Sequence, residues 1–153
     1  MTQIDFYILS SNSEDIWLRF ICKVVDKAFN SGMRVFLYSG DEFIAQKLYK
    51  LLWTFSQNSF LPHIYADTSS KCIPEETIII GYPSIDGIEE YIISRSIPFD
   101  LMINLAEQPP KFFNCFDRLI EIVNASNKNK NFGRKRFSFY SKNGYEINTH
   151  KIN

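Results

Sequence analysis

Thr77-Ile78-Ile79-Ile80-Gly81 decides the fold. It is a continuous β-branched run with no polar alternation, the mark of a strand covered on both faces. Such a strand belongs in a parallel sheet between two layers of helix, so helical patterns are expected on either side of it in the chain. Upstream, Ile4 to Leu9 reads as a short, mainly apolar strand. Ser11-Asn12-Ser13-Glu14-Asp15 then supplies cap oxygens and acids for a helix start. Ile16, Phe20, Val24 and Ala28 recur every four residues, with Trp17, Ile21 and Val25 beside them, which predicts a helix to about Asn30 that Ser31-Gly32 ends. Arg34 to Tyr38 is a second strand, Phe43 to Trp53 a second helix, and His63-Ile64-Tyr65 a third strand.

Downstream, residues 85 to 94 read as a short helix and Leu101 to Leu105 as another buried strand. Phe112, Phe116, Leu119, Ile120 and Val123 fall on one helical face, predicting a helix over 112–123. A last helix, about Phe132 to Lys142, ends at Asn143-Gly144, and Ile147 closes the chain in a short extended piece. Strands separated by helices imply right-handed crossovers. The expectation is a single domain over 1–153: a three-layer α/β/α fold with a mainly parallel, Rossmann-like sheet of about five strands in the order 3-2-1-4-5.

The composition fits a globular domain, with 45% hydrophobic and 22% charged residues, and no apolar run approaches the roughly 20 residues of a membrane span. The N-terminus, Met-Thr-Gln-Ile-Asp, shows no basic region and no cleavage site, so no secretory signal is expected. Cys22, Cys72 and Cys115 are odd in number and far apart, which argues against a disulfide framework and for reduced thiols in a cytoplasmic protein. Formal net charge is zero but polarised: from Ser126 onward seven cations face Glu146 alone, for +6, and the remainder carries −6. A basic end of this kind suits an acidic partner, whether phosphate or carboxylate, although on charge alone a solvated helix face is the favoured reading.

Parallel sheets often bind nucleotides at the carboxyl ends of their strands. Here Ser10 to Ser13 holds no glycine and the second loop holds only Gly40. No Gly-x-Gly-x-x-Gly or P-loop occurs, and Asp41 and Glu42 would repel a phosphate. No cofactor is expected. His63 and His150 have no nucleophile placed beside them, no metal-ligand spacing occurs, and Asp117-Arg118 within the expected helix reads as a surface ion pair. Neither a catalytic residue nor a metal ligand can be named.

Two stretches look like docking surfaces instead. Leu52-Trp53-Thr54-Phe55-Ser56-Gln57-Asn58-Ser59-Phe60-Leu61-Pro62-His63 carries heavy apolar groups around a polar turn. Leu52 and Leu61 read as core, while Trp53 and Phe60 fit core and interface equally well. In Arg134-Lys135-Arg136-Phe137-Ser138-Phe139-Tyr140-Ser141, helical spacing puts Arg134, Phe137, Ser138 and Ser141 on one face and turns Phe132, Arg136 and Phe139 the other way, the two rings toward the core. A guanidinium beside a ring, with Lys135 at the edge, suits a peptide that ends in a carboxylate. Basic residues interleaved with aromatics also fit single-stranded nucleic acid.

The chain resembles the chi subunit of bacterial DNA polymerase III. The residues carrying the resemblance are Asp5-Phe6-Tyr7, Gly32-x-Arg34-Val35, Leu52-Trp53-Thr54-Phe55, Ser59-Phe60-Leu61-Pro62-His63, Asp100-Leu101-x-Ile103-x-Leu105, Pro109-Pro110, Phe116-Asp117-Arg118, and Arg134-x-Arg136-Phe137-x-x-Tyr140-x-x-x-Gly144. They run nearly end to end. What the resemblance implies is a non-catalytic adaptor at the replication fork, similar in fold to nucleotide-binding proteins but not using nucleotide. It implies a heterodimer with the psi subunit, which ties it to the clamp loader, with Trp53, Phe60, Pro62 and His63 on the psi-facing patch. It also implies binding of the acidic C-terminal tail of single-stranded DNA-binding protein, ending in Asp-Phe-Pro-Phe, by Arg134 and Phe137 with Lys135 and Ser138 alongside. DNA is then reached through that protein. Ser138 stands where many relatives carry a lysine, and Lys135 or Lys142 is a candidate substitute. The alternative is a small nucleotide-binding enzyme on a degenerate Rossmann-like fold.

Overall fold

A computed structural model describes residues 1–55, 61–69, 78–94 and 99–153. The described residues form seven strands and four α-helices: β1 (Gln3–Leu9), α1 (Glu14–Asn30), β2 (Val35–Tyr38), α2 (Glu42–Thr54), β3 (His63–Tyr65), β4 (Ile78–Gly81), α3 (Ile88–Ile93), β5 (Leu101–Asn104), a 3-10 turn (Phe113–Cys115), β6 (Arg118–Val123), α4 (Asn127–Lys142) and β7 (Ile147–Ile152). Every strand pair is parallel, in the order β3-β4-β2-β5-β6-β1-β7. The three-layer α/β fold is as expected, but the sheet has seven strands rather than about five. The first strand lies next to an edge rather than at the centre.

Both extra strands flank β1. β6 occupies the segment expected to be helical. Leu119, Ile120 and Val123 satisfy a 3.6-residue period by coincidence, while alternation sends Ile120, with Ile122, to one core and Leu119 and Val123 to the other. Phe112 and Phe116, the upstream part of that supposed helical face, pack in a loop around the 3-10 turn. Arg118 accordingly pairs across the sheet with Asp5, Nε to Oδ2 2.9 Å, and not with Asp117 on a helix surface.

The connections from β1 and β2 lead through α1 and α2 to one face of the sheet. Those from β4 and β6 lead through α3 and α4 to the other. Each face has its own core: Trp17, Ile21, Val25, Leu48 and Leu52 lie with the α1/α2 layer, and Phe36, Phe99, Phe112, Phe116 and Tyr140 with the α3/α4 layer. The second is aromatic, with Phe36 stacked on Phe116 at 6.0 Å and tilted on Phe99 at 5.2 Å. Gly81 makes room for Phe36, since a Cβ there would stand 2.7 Å from Cζ. On α1 the stripe through Trp17, Ile21 and Val25 is buried as expected, whereas Ile16 is exposed.

Side chains cap the helices that begin at the carboxyl edge. Ser13 Oγ accepts from Ile16 N, Asp41 Oδ1 from Ile44 N at 2.8 Å, and Ser126 Oγ from Asn129 N. These caps fix where α1, α2 and α4 leave the sheet, and so where each presents its outer face.

Candidate functional site

The aromatic stretch builds its surface at the β3 edge. Leu52 and Leu61 are buried, as expected. Trp53, at the last turn of α2, is 47% exposed. Its ring lies 4.5 Å from that of His63 and edge-on to Tyr49 at 6.1 Å. Tyr49 stacks on Tyr65 at 4.6 Å with 11° between planes, locking α2 onto β3. Pro62 is half-buried beside this group. His63 is buried, with Nδ1 2.6 Å from the Leu61 carbonyl oxygen and Nε2 2.8 Å from that of Tyr49. It therefore supports the Trp53 ring from behind rather than presenting itself. Phe60 lies outside the described residues.

The second surface is the outer side of α4. Arg134, Lys135, Phe137 and Ser138 are all exposed. Phe137 is 39% exposed, with one edge against Phe6 of β1 at 5.3 Å. The structure brings Arg134, Phe137 and Ser138 to one side, joined by exposed Lys130 one turn earlier. Lys135 lies about 100° round the helix, its ammonium 5.6 Å over the Phe132 ring, away from Phe137. Lys142 shares that other side.

The inward face of α4 differs from expectation. Gly133, Arg136 and Tyr140 are buried, while Phe139 is 41% exposed and Phe132 only half-buried. The cause is Glu121, fully buried on β6. Arg136 Nε donates to its Oε1 at 2.9 Å; Tyr140 Oη and Asn104 Nδ2 donate to Oε2 at 2.7 and 2.9 Å. Burial pushes the Glu121 carboxyl above the usual carboxylate range, opposed by the Arg136 charge and the hydrogen bonds from Tyr140 and Asn104. The Tyr140 hydroxyl is pushed up in turn by burial and by Glu121. A second constraint is Gly133, where a Cβ would meet Val123 Cγ2 at 3.0 Å. The helix backbone there rests on the Val123 side chain, and the outward angle of Arg134 and Phe137 follows from that seat.

A cleft of about 750 Å³ opens at the carboxyl ends of the strands, lined by Tyr38, Gly40, Asp41, Glu107, Asn124 and Arg136 among others. Its rim is acidic on the α1/α2 side, where Glu14 joins Asp41. Among the described residues no group of three or more His, Cys, Asp and Glu is placed to hold a metal ion. No described helix is long and apolar enough to cross a membrane.

Comparison with known proteins gives one consistent answer. The family profile described as DNA polymerase III chi subunit, HolC, matches residues 1–148. The DNA polymerase III subunit chi of Pseudomonas aeruginosa is 30% identical over 152 residues, covering 99% of this chain and 98% of that protein. The subunit of the same name in Escherichia coli is 25% identical over 153 residues, covering 97% of each. A solved structure of the C-terminal domain of the DEAD-box protein Dbp5 superposes with a TM-score of 0.59 at 11% identity, covering 99% of this chain and 90% of that one, a likeness of fold alone.

Proposed function

The chain belongs to the DNA polymerase III chi-subunit family and so has an accessory role in replication; from that premise we propose that it is a non-catalytic adaptor with two partners. One is the psi subunit, taken by Trp53 and Pro62 at the β3 edge together with Phe60, with His63 buttressing the tryptophan. The other is the acidic C-terminal tail of single-stranded DNA-binding protein, taken by Arg134 and Phe137 on α4. Arg134 holds the terminal carboxylate through a charge-assisted hydrogen bond, and Phe137 packs against the apolar end of the peptide.

The observation that carries this reading is the separation of the two surfaces. β3 is one edge of the sheet, and Phe137 packs on β1 beside the other edge. Five strand spacings of about 4.8 Å put them roughly 24 Å apart, so two partners can be held at once without competing. The acidic rim of the cleft weighs against the nucleotide-binding alternative, because the carboxylates of Glu14 and Asp41 stand where a phosphate would approach the helix starts.

The test is a pair of binding measurements on two variants. Trp53→Ala loses psi and keeps the tail peptide; Arg134→Ala loses the tail peptide and keeps psi. Loss of both partners in either folded variant would refute two independent surfaces.

A further inference from the structure

Lys151 lies on the side of β7 that faces the α4 layer. Alternation settles this: Ile147 packs into the aromatic core beneath α4, whereas Ile152 packs into the α1/α2 core. His150 belongs to that second side too, since it stacks on Tyr7 at 4.8 Å. Thr149 and Lys151 therefore share the face of Ile147, and both are exposed. In register they stand beside Phe6 and Ile8 of β1.

Lys151 also falls at the level of Arg134. α4 joins two parallel strands, β6 and β7, so it runs back against them and begins at their carboxyl ends. Phe137 touches Phe6, whose partner on β7 is Thr149. Three residues back along α4, roughly 4.5 Å toward the carboxyl edge, is Arg134. Two residues on along β7, roughly 6.6 Å in the same direction, is Lys151. Ile8, half-buried, lies between them. Gly133 seats α4 over Val123 of β6, and Phe137 covers Phe6, while beyond them toward the carboxyl edge Thr149 and Lys151 stay exposed. Neither Arg134 nor Lys151 has an ion pair or hydrogen-bond partner among the described residues.

We infer that Arg134 and Lys151 form a two-cation clamp across an apolar floor of Ile8 and Phe137, and that this groove takes an acidic peptide ending in an apolar residue with a free carboxylate. The inference rests on the tail reading of α4 given above and extends it to β7. Lys151 then supplies the charge that Ser138 does not, in place of Lys135 or Lys142, which lie on the other side of the helix. Two converging cations match neighbouring carboxylates. A nucleic acid strand would need a longer basic track than Lys130, Arg134 and Lys151 provide.

Fluorescence anisotropy of the full chain tests this, with a labelled acidic peptide ending in Asp-Phe-Pro-Phe as probe. Lys151→Ala is expected to weaken binding about three- to tenfold, in the range of a partly exposed charge contact. Lys151→Glu weakens it further, Lys151→Arg restores it, and Lys23→Ala on α1 changes nothing. The salt dependence of binding falls in Lys151→Ala, which a purely structural role for the residue would not produce. Wild-type affinity in Lys151→Ala with loss in Arg134→Ala would overturn the clamp and leave the tail reading standing. Wild-type affinity in both would overturn the two together. A Lys151 effect on a labelled oligothymidine but not on the peptide would overturn the choice of partner.

Discussion

Arg136 and Glu121 meet at 2.9 Å inside the core, their side chains almost wholly removed from water. The guanidinium also donates from Nη1 to the Glu107 carbonyl oxygen at 3.2 Å, so one residue of α4 ties β6 to the loop after β5. An uncompensated buried charge is the largest penalty a single substitution can create here. Arg136→Ala is expected to lower stability by about 3 to 5 kcal/mol in urea unfolding, because Glu121 is left without its counter-charge. Replacing both members with apolar residues of similar volume is expected to recover most of that loss. Equal losses in the single and double variants would show that the pair is not the source.

Gly133→Ala pushes α4 away from β6, since the new methyl meets both Cγ atoms of Val123 at 3.0 and 3.1 Å. A cost of about 1 to 3 kcal/mol is expected, together with weaker tail-peptide binding, because Arg134 and Phe137 ride on the displaced helix. Gly133→Ala combined with Val123→Ala should recover the peptide affinity, measured by anisotropy alongside urea unfolding.

Asp5 sets an acid limit on stability. Burial raises its pKa, but hydrogen bonds from His150 and Arg118 outweigh that and hold it below the usual carboxylate value. A depressed folded-state pKa gives stability that is complete above the ordinary carboxylate range and is lost as pH falls through the depressed value. Asp100, raised by burial but held below the usual carboxylate value by its hydrogen bonds to Arg34 and that residue's charge, adds to the same limb. Asp5→Asn is expected to cost about 1 to 2 kcal/mol near neutrality. Its melting temperature should converge on the wild type as the solution is acidified; a constant gap across the pH range would rule out this linkage.

His63→Ala separates support from contact at the β3 edge. Losing two ring-to-carbonyl interactions and the backing of Trp53 is expected to lower both stability, by about 1 to 3 kcal/mol, and psi affinity. Trp53→Ala should lower psi affinity with less effect on melting, since that ring is already half in water. The reverse ranking in thermal melts and psi titrations would assign the contact to His63.

The parts of the fold legible in the sequence are those whose local pattern and tertiary role agree. Ile78 to Gly81 and Leu101 to Asn104 are nearly unbroken apolar runs, and the Trp17-Ile21-Val25 stripe keeps a clear helical period. β6 was not legible because Glu121 interrupts its apolar run with a charge, and the residues around it happen to satisfy a helical spacing. Arg136 suffers the matching fate: a guanidinium on α4 belongs outside by chemistry, and only a carboxylate arriving from another element turns it inward. β7 reads as a terminal scrap because Asn148, Thr149, His150 and Lys151 are polar on both faces. Arg134 and Phe137 stood out by their spacing, whereas Lys151 acquires a neighbour on α4 only through the register of β7 with β1.

That register has a consequence in time. Gln3 finds its strand partner in Arg118, and β1 pairs with nothing but β6 and β7. At roughly 5 to 20 residues per second, the ribosome needs about 6 to 23 s after making β1 to reach the strand that will cover its flank. For that interval Ile4 and Phe6 have no neighbouring strand, while β2, β3, β4 and β5 can already assemble around the β3 edge. The nascent chain thus completes the side that carries Trp53 before the side that carries Arg134, and its first-made strand is among the last to be locked in place.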